Sequence, residues 1–317
     1  MMKANLLRIL GALLICGWVV GCTSGPTARY LVVFSQCNNS EPYRAAQNEA
    51  MKRLWAQQPD VKLVVMDAQQ DSVRQIAQIE TAIRMKPQLL IVAPNERAPL
   101  TEVMKSATEA GIPVLCLERD IVEPYYTSWI RVDNREIGRM IGKYVVEQLT
   151  KKYGEPRGDI VELAGLKGVE GETNRKLGAH DVWDAYPNIK VVTEAVANWS
   201  QSLAKDRMTE ILSAVPQIDV VYGRNDPMAV GAYLAARERG REKEMIFVGI
   251  DGLAGETGGV SKVKEGLLAA TCIYPLCVDK AVEVGSRILR EPDFKAEKSY
   301  TISSQLVTIE NADSIYK

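Results

Sequence analysis

Short apolar runs alternate along the chain with longer segments in which apolar residues recur at helical spacing. In the first half, the apolar runs are typical of strands and occupy 30–35, 62–66, 89–92 and 114–117. The segments between them predict helices that begin at Pro42, Ser72 and Pro99. This alternation favours a parallel sheet with helices on both faces.

The same pattern starts again in the second half. Apolar runs at 160–163, 189–194, 220–222 and 246–249 alternate with expected helices near Asn174 and from Ser200 and Pro227. VKLVVMDAQQD at 61–71 is similar to IKVVTEAVANW at 189–199, and PQLLIVAPNE at 87–96 is similar to PQIDVVYGRND at 216–226. The halves look like two copies of one unit. We therefore predict an α/β fold with two doubly wound parallel-sheet lobes.

Several segments are expected to pass between the lobes. Residues 133–153 carry the chain across once, and the late β signals at 268–273 and 300–308 supply further crossings. This predicts a multi-strand hinge beside a cleft. We expect the N-terminal lobe to comprise 29–132 plus 275–303, and the C-terminal lobe to comprise 133–274 plus 304–317.

Residues 1–22 are expected to be a signal peptide. Lys3 and Arg8 precede an apolar run at 9–20. As a helix with a rise of about 1.5 Å per residue, this run is too short to span a bilayer core of roughly 30 Å, as is typical of a signal peptide. VVGC at 19–22 resembles the bacterial lipobox. This resemblance implies a lipid-modified Cys22, a tether at 23–28, and a protein anchored to a membrane in the periplasm or at the cell surface. An ordinary secretory signal with an incidental Cys22 is the alternative.

Composition excludes some classes of partner. Lys and Arg number 39 and Asp and Glu number 40, without a basic run, so no nucleic-acid partner is expected. Cys37, Cys116, Cys272 and Cys277 show no spacing typical of metal ligands, and we expect neither a metal nor a cofactor. Because Cys37 and Cys116 lie at the ends of strands that the predicted sheet separates by an intervening strand, we expect free buried thiols; an exported chain could instead form disulfides.

Polar side chains cluster where the predicted strands end, which is where open α/β sheets bind ligands. In the first half these residues are Asn38, Asn39, Tyr43, Arg44, Asp67, Gln69, Asn95, Glu96, Glu118, Arg119 and Asp120. In the second half they are Arg175, Asn198, Trp199, Arg224, Asn225, Asp226 and Asp251. Amides, carboxylates and guanidiniums can pair with neighbouring hydroxyls while an aromatic ring covers the C–H face of a sugar. A polyhydroxyl ligand is therefore predicted.

Some of these residues have simpler interpretations. Asp226 is expected to cap the helix that Pro227 opens, which leaves Asn225 freer to face a ligand. Trp199 is expected to stack on the ligand, with a place in the core as the alternative. His180, the only histidine, lies in a charged helical segment and is expected to be solvated.

Several stretches together resemble one family, the periplasmic sugar-binding proteins of the ribose-binding and galactofuranose-binding type, which have the type I periplasmic binding protein fold. The resemblance rests on FSQCNNSEPYRAA, MDAQQD, GIPVLCLERDI, VDNREIG, GETNRKLGAHD, ANWS, GRNDPMAVGA and FVGIDG. It implies an extracytoplasmic receptor of an ABC importer that binds a monosaccharide, namely a furanose, a pentose or a related sugar. The sugar-binding residues that it implies are Asn39, Tyr43, Arg44, Glu118, Arg119, Asn134, Arg175, Trp199, Asn225, Asp251 and Tyr274.

Two departures from the family pattern leave the particular sugar open. Glu118 replaces the usual Asp and reaches one methylene further, and Tyr43 with Arg44 replaces the aromatic pair of the ribose type. The resemblance also implies closure of the lobes around the sugar and delivery to a membrane permease by a body that we expect to be monomeric.

The sequence leaves one other function open and argues against two more. A sensor that presents its closed form to a chemoreceptor or kinase is the alternative. An enzyme is not expected, because the chain has no phosphate loop, GxSxG motif or metal-ligand spacing, although sequence alone leaves a glycosidase carboxylate pair open. A repressor would need a helix-turn-helix where the leader lies.

Overall fold

The computed structural model describes residues 28–316, so the predicted signal peptide and Cys22 lie outside the described residues. The first half forms β1 (Tyr30–Gln36), α1 (Pro42–Ala56), β2 (Val61–Asp67), α2 (Ser72–Met85), β3 (Leu89–Val92), α3 (Arg97–Glu109), β4 (Val114–Leu117), β5 (Ser128–Val132) and α4 (Asn134–Tyr153). The second half forms β6 (Gly158–Ala164), α5 (Glu170–Trp183), β7 (Ile189–Val196), α6 (Gln201–Ala214), β8 (Val220–Gly223), α7 (Asp226–Glu238), β9 (Ile246–Asp251), α8 (Gly259–Lys264), β10 (Ala270–Ile273), α9 (Val278–Arg290), β11 (Ser299–Ile302), β12 (Leu306–Thr308) and a 3-10 turn (Ala312–Ser314).

The strands of residues 28–316 form two six-stranded sheets. The first has the order β11-β5-β4-β3-β1-β2, and every neighbouring pair is parallel. The second has the order β12-β10-β9-β8-β6-β7, in which β12 alone runs antiparallel to its neighbour. The predicted fold of two parallel-sheet α/β lobes is confirmed, with β12 as a departure.

Burial on both sides of the sheets explains why the central strands were readable in the sequence. β3 and β4 consist entirely of buried residues, because helices cover both faces of the first sheet. Local signals then fix the helix starts. Pro42 opens α1, the Asp71 carboxylate accepts from the Val73 N–H at the start of α2, and the Asp133 carboxylate accepts from the Arg135 N–H at the start of α4.

Three connections join the two sheets. They run from β5 into α4, from β10 into α9, and from β11 into β12. α4 packs on α5 of the second lobe, whereas α9 packs on α1, β3 and β4 of the first. These crossings form the hinge, and the carboxyl ends of both sheets face the space beside it.

The structure corrects several details. β5 was not predicted, and the β signal at 300–308 divides into β11 and β12, which belong to different sheets. α3 begins at Arg97 rather than Pro99, and α5 begins at Glu170. Cys37, Cys116, Cys272 and Cys277 are buried free thiols, as expected. Within 28–316, no helix combines the length and apolar character that crossing a membrane requires.

Candidate functional site

A cleft lies between the lobes and beside the hinge, with about 400 Å³ of empty space that is partly continuous with solvent. The polar and aromatic residues that line it from the first lobe, the second lobe and the hinge are Glu41, Tyr43, Arg44, Glu118, Arg119, Arg175, Trp199, Asn225, Asp251 and Tyr274. All but two of the residues that the resemblance implied are therefore brought to one place.

A buried ion pair forms the first-lobe side of the cleft. Arg44 Nη2 donates to Glu118 Oε2 at 2.7 Å, and the two residues are 3% and 4% exposed. Burial opposes ionisation of Glu118, but the guanidiniums of Arg44 and Arg119 hold the pKa of its carboxyl below the usual value. Glu118 is therefore an ionised acceptor.

Arg119 is only partly satisfied by the protein. Its Nη1 donates to the Asn95 carbonyl at 2.9 Å, and its Nε lies 3.9 Å from Glu118 Oε2, beyond hydrogen-bond range. Within the described chain, Nε of Arg119 and Nε of Arg44 are buried without hydrogen-bond partners. A hydroxyl in the cleft could accept from such donors.

Tyr274 connects the hinge to both lobes. Its hydroxyl donates to Glu118 Oε1 at 2.5 Å and accepts from Asn134 Nδ2 at 3.2 Å. Its ring centre lies 5.1 Å from that of Tyr43, whose hydroxyl donates to the Pro275 carbonyl at 2.8 Å. The back of the cleft is thus a continuous polar and aromatic surface.

Arg175 projects from α5 on the second-lobe side. Its Nη1 donates to the Arg224 carbonyl at 2.6 Å, and its Nε donates to Asn134 Oδ1 at 3.0 Å. Its Cζ lies 4.2 Å from the ring centre of Tyr274 and 5.5 Å from that of Trp199. These contacts hold the guanidinium plane against two aromatic faces.

Trp199 follows β7 and is 6% exposed. It and Asn198 have positive φ angles of 65° and 48°, which turn the chain sharply toward the cleft. The ring packs on Gly165, where a Cβ would come within 2.2 Å of its carbons. Trp199 Nε1 has no hydrogen-bond partner in the described part of the chain.

Asp251 and Asp226 lie side by side at the end of β9. Asp251 lines the cleft and is 5% exposed. Burial raises the pKa of Asp251, and the neighbouring Asp226 raises it further. Burial also raises the pKa of Asp226 to about 6.

Asn225, rather than Asp226, caps α7, and Asn225 also lines the cleft. Asn225 caps α7, because its Oδ1 accepts from the Met228 N–H at 2.9 Å, and its Nδ2 donates to the Trp199 carbonyl at 3.1 Å. The prediction that Asp226 caps this helix is wrong. Its carboxylate turns inward, where it accepts from the Gly252 N–H at 2.8 Å and from Thr271 Oγ1 at 2.7 Å.

Asn39 and Asn134 do not line the cleft. Asn39 is exposed and accepts from Asn48 Nδ2 at 2.8 Å, because Asn38 turns the loop by accepting from the N–H of Glu41. Asn134 lies one layer behind Arg175 and Tyr274.

Four lining residues that the sequence interpretation missed are Glu41, Pro42, Val169 and Gly171. Pro42 at the start of a helix that follows a strand end was a signal for the first two.

His180 is not a solvated residue: its Nε2 lies 3.3 Å from Glu162 Oε1, its Nδ1 lies 2.9 Å from Asp184 Oδ1, and its side chain is 22% exposed. Among the described residues, no group of three or more His, Cys, Asp and Glu side chains could hold a metal ion.

The fold and cleft define a two-lobed solute-binding protein, and sequence comparison names the family. The model for the periplasmic binding protein domain matches residues 32–275, and the chain belongs to this family. Its members bind solutes rather than catalyse reactions, as expected, and function outside the cytoplasm.

Individual relatives cover most of the chain. The xylitol-binding protein of Mycolicibacterium smegmatis is 30% identical over 262 residues, covering 82% of this chain and 72% of the relative. The ribose import binding protein of Bacillus subtilis is 25% identical over 259 residues, covering 80% and 79%. The solved fructose-binding periplasmic domain of a hybrid two-component system is 34% identical with a TM-score of 0.84, covering 90% and 93%. The resemblance to periplasmic sugar-binding proteins is confirmed.

Proposed function

We propose that this protein captures a monosaccharide or a related polyol in its cleft and delivers it to an ABC permease while a lipid on Cys22 holds it at the membrane. The supporting observation is that charged groups of both lobes converge on one small cleft with unused hydrogen-bonding atoms. These atoms include Arg44 Nε, Arg119 Nε and Trp199 Nε1, and the Asp251 carboxylate lines the same cleft. Relatives that bind ribose and xylitol support a ligand of this size and chemistry.

Binding is coupled to closure. In an open form, both lobes expose polar groups to water; a sugar with hydroxyls on both sides bridges them and selects the closed orientation. A micromolar dissociation constant corresponds to about 8 kcal/mol. A few charge-assisted hydrogen bonds at about 1.5–3 kcal/mol each, together with aromatic contact, can supply this after ordering costs.

A thermal-shift panel of D-fructose, D-ribose, xylitol and myo-inositol tests the proposal. A ligand at 100 times its dissociation constant adds about 2.7 kcal/mol, which raises the melting temperature of lobes of this size by about 5–10 °C. A flat response to sugars and polyols at millimolar concentration would contradict the proposal. Recovery of the bound sugar in altered form would instead indicate a glycosidase or another enzyme.

A sensor is the second candidate function, and the 34% identical fructose-binding domain of a hybrid two-component system favours it. Uptake of radiolabelled sugar by a strain that lacks this protein separates the two. Lost uptake supports the importer, whereas normal uptake with a lost transcriptional response to the sugar supports the sensor. Fractionation of cells that express a Cys22→Ala variant tests the lipid anchor. If Cys22 carries the lipid, the variant should leave the membrane fraction; a variant that stays there would contradict the anchor.

A further inference from the structure

Arg224 follows β8 directly and is 1% exposed, yet it does not line the cleft. Its side chain points into the second lobe, beneath the helix that carries Arg175. A buried guanidinium at a strand end beside a binding site needs an explanation, because burial of an unpaired charge is costly.

Three carboxylates from three different elements hold this guanidinium. Arg224 Nη2 donates to Glu162 Oε2 of β6 at 2.7 Å and to Glu194 Oε2 of β7 at 2.5 Å, and Nη1 donates to Glu172 of α5. Because the planar fork of an arginine fixes several partners at once, this cluster locks α5 to the ends of the two strands.

The same cluster supports the second-lobe side of the cleft at two points. The backbone carbonyl of Arg224 accepts from Arg175 Nη1 at 2.6 Å. The other oxygen of Glu172 accepts from the N–H of Gly165 at 2.6 Å, and Gly165 is the residue on which the Trp199 ring packs. A shift of Arg224 would therefore move both Arg175 and the support of Trp199.

We propose that Arg224 is a positioning residue that sets the affinity of the cleft by fixing Arg175, without touching the ligand itself. This inference rests on the proposed function, because it requires that Arg175 contacts the bound sugar. Lysine at this position keeps the charge but cannot form the fork to three carboxylates. Arg224→Lys is consequently expected to loosen Arg175 while leaving the buried charge in place.

Arg241 offers a matched control in the same lobe. It also forms several hydrogen bonds, with Nη1 donating to the Leu212 carbonyl and Nη2 to the Pro216 carbonyl, each at 2.8 Å, but it does not line the cleft. Calorimetric titration with the panel sugar that binds wild type most tightly should show a dissociation constant raised about tenfold or more in Arg224→Lys and changed less than about twofold in Arg241→Lys. Equal effects of the two variants would overturn the proposal.

A double-mutant cycle separates positioning from general destabilisation. If Arg224 acts chiefly through Arg175, Arg224→Lys should weaken binding by no more than about threefold in an Arg175→Lys background, where only the support of Trp199 through Glu172 and Gly165 remains to be lost. The same tenfold loss in that background would overturn the proposal. If Arg224→Lys does not fold, Glu194→Gln is the second variant, because Glu194 belongs to the same cluster and its side chain is 32% exposed. This variant should weaken binding about threefold. Unchanged affinity would overturn the proposal.

Failure of the proposed function remains distinguishable from failure of this inference. If wild type binds no sugar of the panel, the proposed function fails, and crystal structures of wild type and Arg224→Lys decide the inference. The inference predicts that the Arg175 guanidinium leaves the carbonyl of residue 224 and the Tyr274 ring in the variant. An unmoved Arg175 would overturn it.

Discussion

Three residues that line the cleft have strained backbone conformations. Glu118, Trp199 and Asp251 have φ angles of 63°, 65° and 143°, although none is glycine. Such conformations cost about 1–3 kcal/mol each and persist where the surrounding structure imposes them. Each of the three residues follows or ends a strand, and each points into the same space. The strain is therefore consistent with side chains fixed in advance for a ligand.

Arg175→Met should weaken sugar binding about 10- to 100-fold. The variant loses a charge-assisted donor, and the groups that would face it across the closed cleft lose their partner. Arg135→Ala is the control, because Arg135 lies on α4 with its side chain 42% exposed, pairs with Asp181 and does not line the cleft. Titration calorimetry measures both. If Arg175→Met and wild type bind the sugar with comparable affinity, Arg175 does not contribute to binding.

His180 should make stability depend on pH. The adjacent Glu162 carboxylate, 3.3 Å away, raises the pKa of His180, with a further contribution from Asp184. Since the folded pKa lies above the unfolded value of about 6.5, this stabilisation is fully present below that pH and is lost as pH rises through the folded pKa.

Urea unfolding of wild type and His180→Gln between pH 5.5 and 9 gives the difference in their free energies of unfolding. This difference should shrink as pH rises. Because the sequence contains one histidine, NMR gives a single histidine titration curve, and its midpoint is expected above pH 6.5. A pH-independent difference, or a lower folded pKa, would contradict the ion pair with Glu162.

At the level of elements, the sequence predicts strands well where burial is complete on both faces. LLIV of β3 and VLCL of β4 are uninterrupted apolar runs. SWIRV of β5 was missed because buried Ser128 and the partly exposed Arg131 interrupt it; the Arg131 guanidinium lies 4.4 Å from the Trp129 ring centre.

The site was predictable to the extent that strand ends are predictable. Tyr43, Glu118 and Asp251 follow from their places after or at the ends of strands, together with the family resemblance. The inward turn of Asp226 was not predictable, because it depends on Thr271 and on the backbone of Gly252, far away in the sequence. Tertiary hydrogen bonds of this kind leave no local pattern.

Gly165→Ala should reduce affinity more than stability. A Cβ here would meet the Trp199 ring at 2.2 Å and push it from its place at the end of β6. Gly285→Ala is the control, since its Cβ would approach Leu89 at 2.6 Å in the first-lobe core, away from the cleft. Both should lower the melting temperature, but only Gly165→Ala should raise the dissociation constant, by about tenfold. Unchanged binding by Gly165→Ala would argue against a ligand role for Trp199.

At the scale of the whole molecule, the hinge and the binding groups are one structure. Tyr274 lies between β10 and α9, within one of the three crossings, and its hydroxyl contacts both Glu118 and Asn134. A ligand that contacts Arg119 and Arg175 would therefore stabilise the lobe orientation in which this hydroxyl has both partners. In the proposed function, closure and recognition would therefore be coupled through these shared atoms.

Tyr274→Phe should weaken binding about three- to tenfold, because Glu118 and Asn134 each lose a buried partner. Tyr144→Phe is the matched control: its hydroxyl donates to the Ala269 carbonyl at 3.0 Å, and Tyr144 does not line the cleft. Titration of both variants with the same sugar checks the prediction. Equal affinities of the two variants would show that the Tyr274 hydroxyl does not contribute to sugar binding.

The most direct measurement is a crystal structure of the protein with the panel sugar that gives the largest thermal shift. The account predicts one sugar between Arg119 and Arg175, within about 3.2 Å of polar atoms from both lobes and against the Trp199 ring. A sugar held by one lobe alone, or bound outside the cleft, would contradict it.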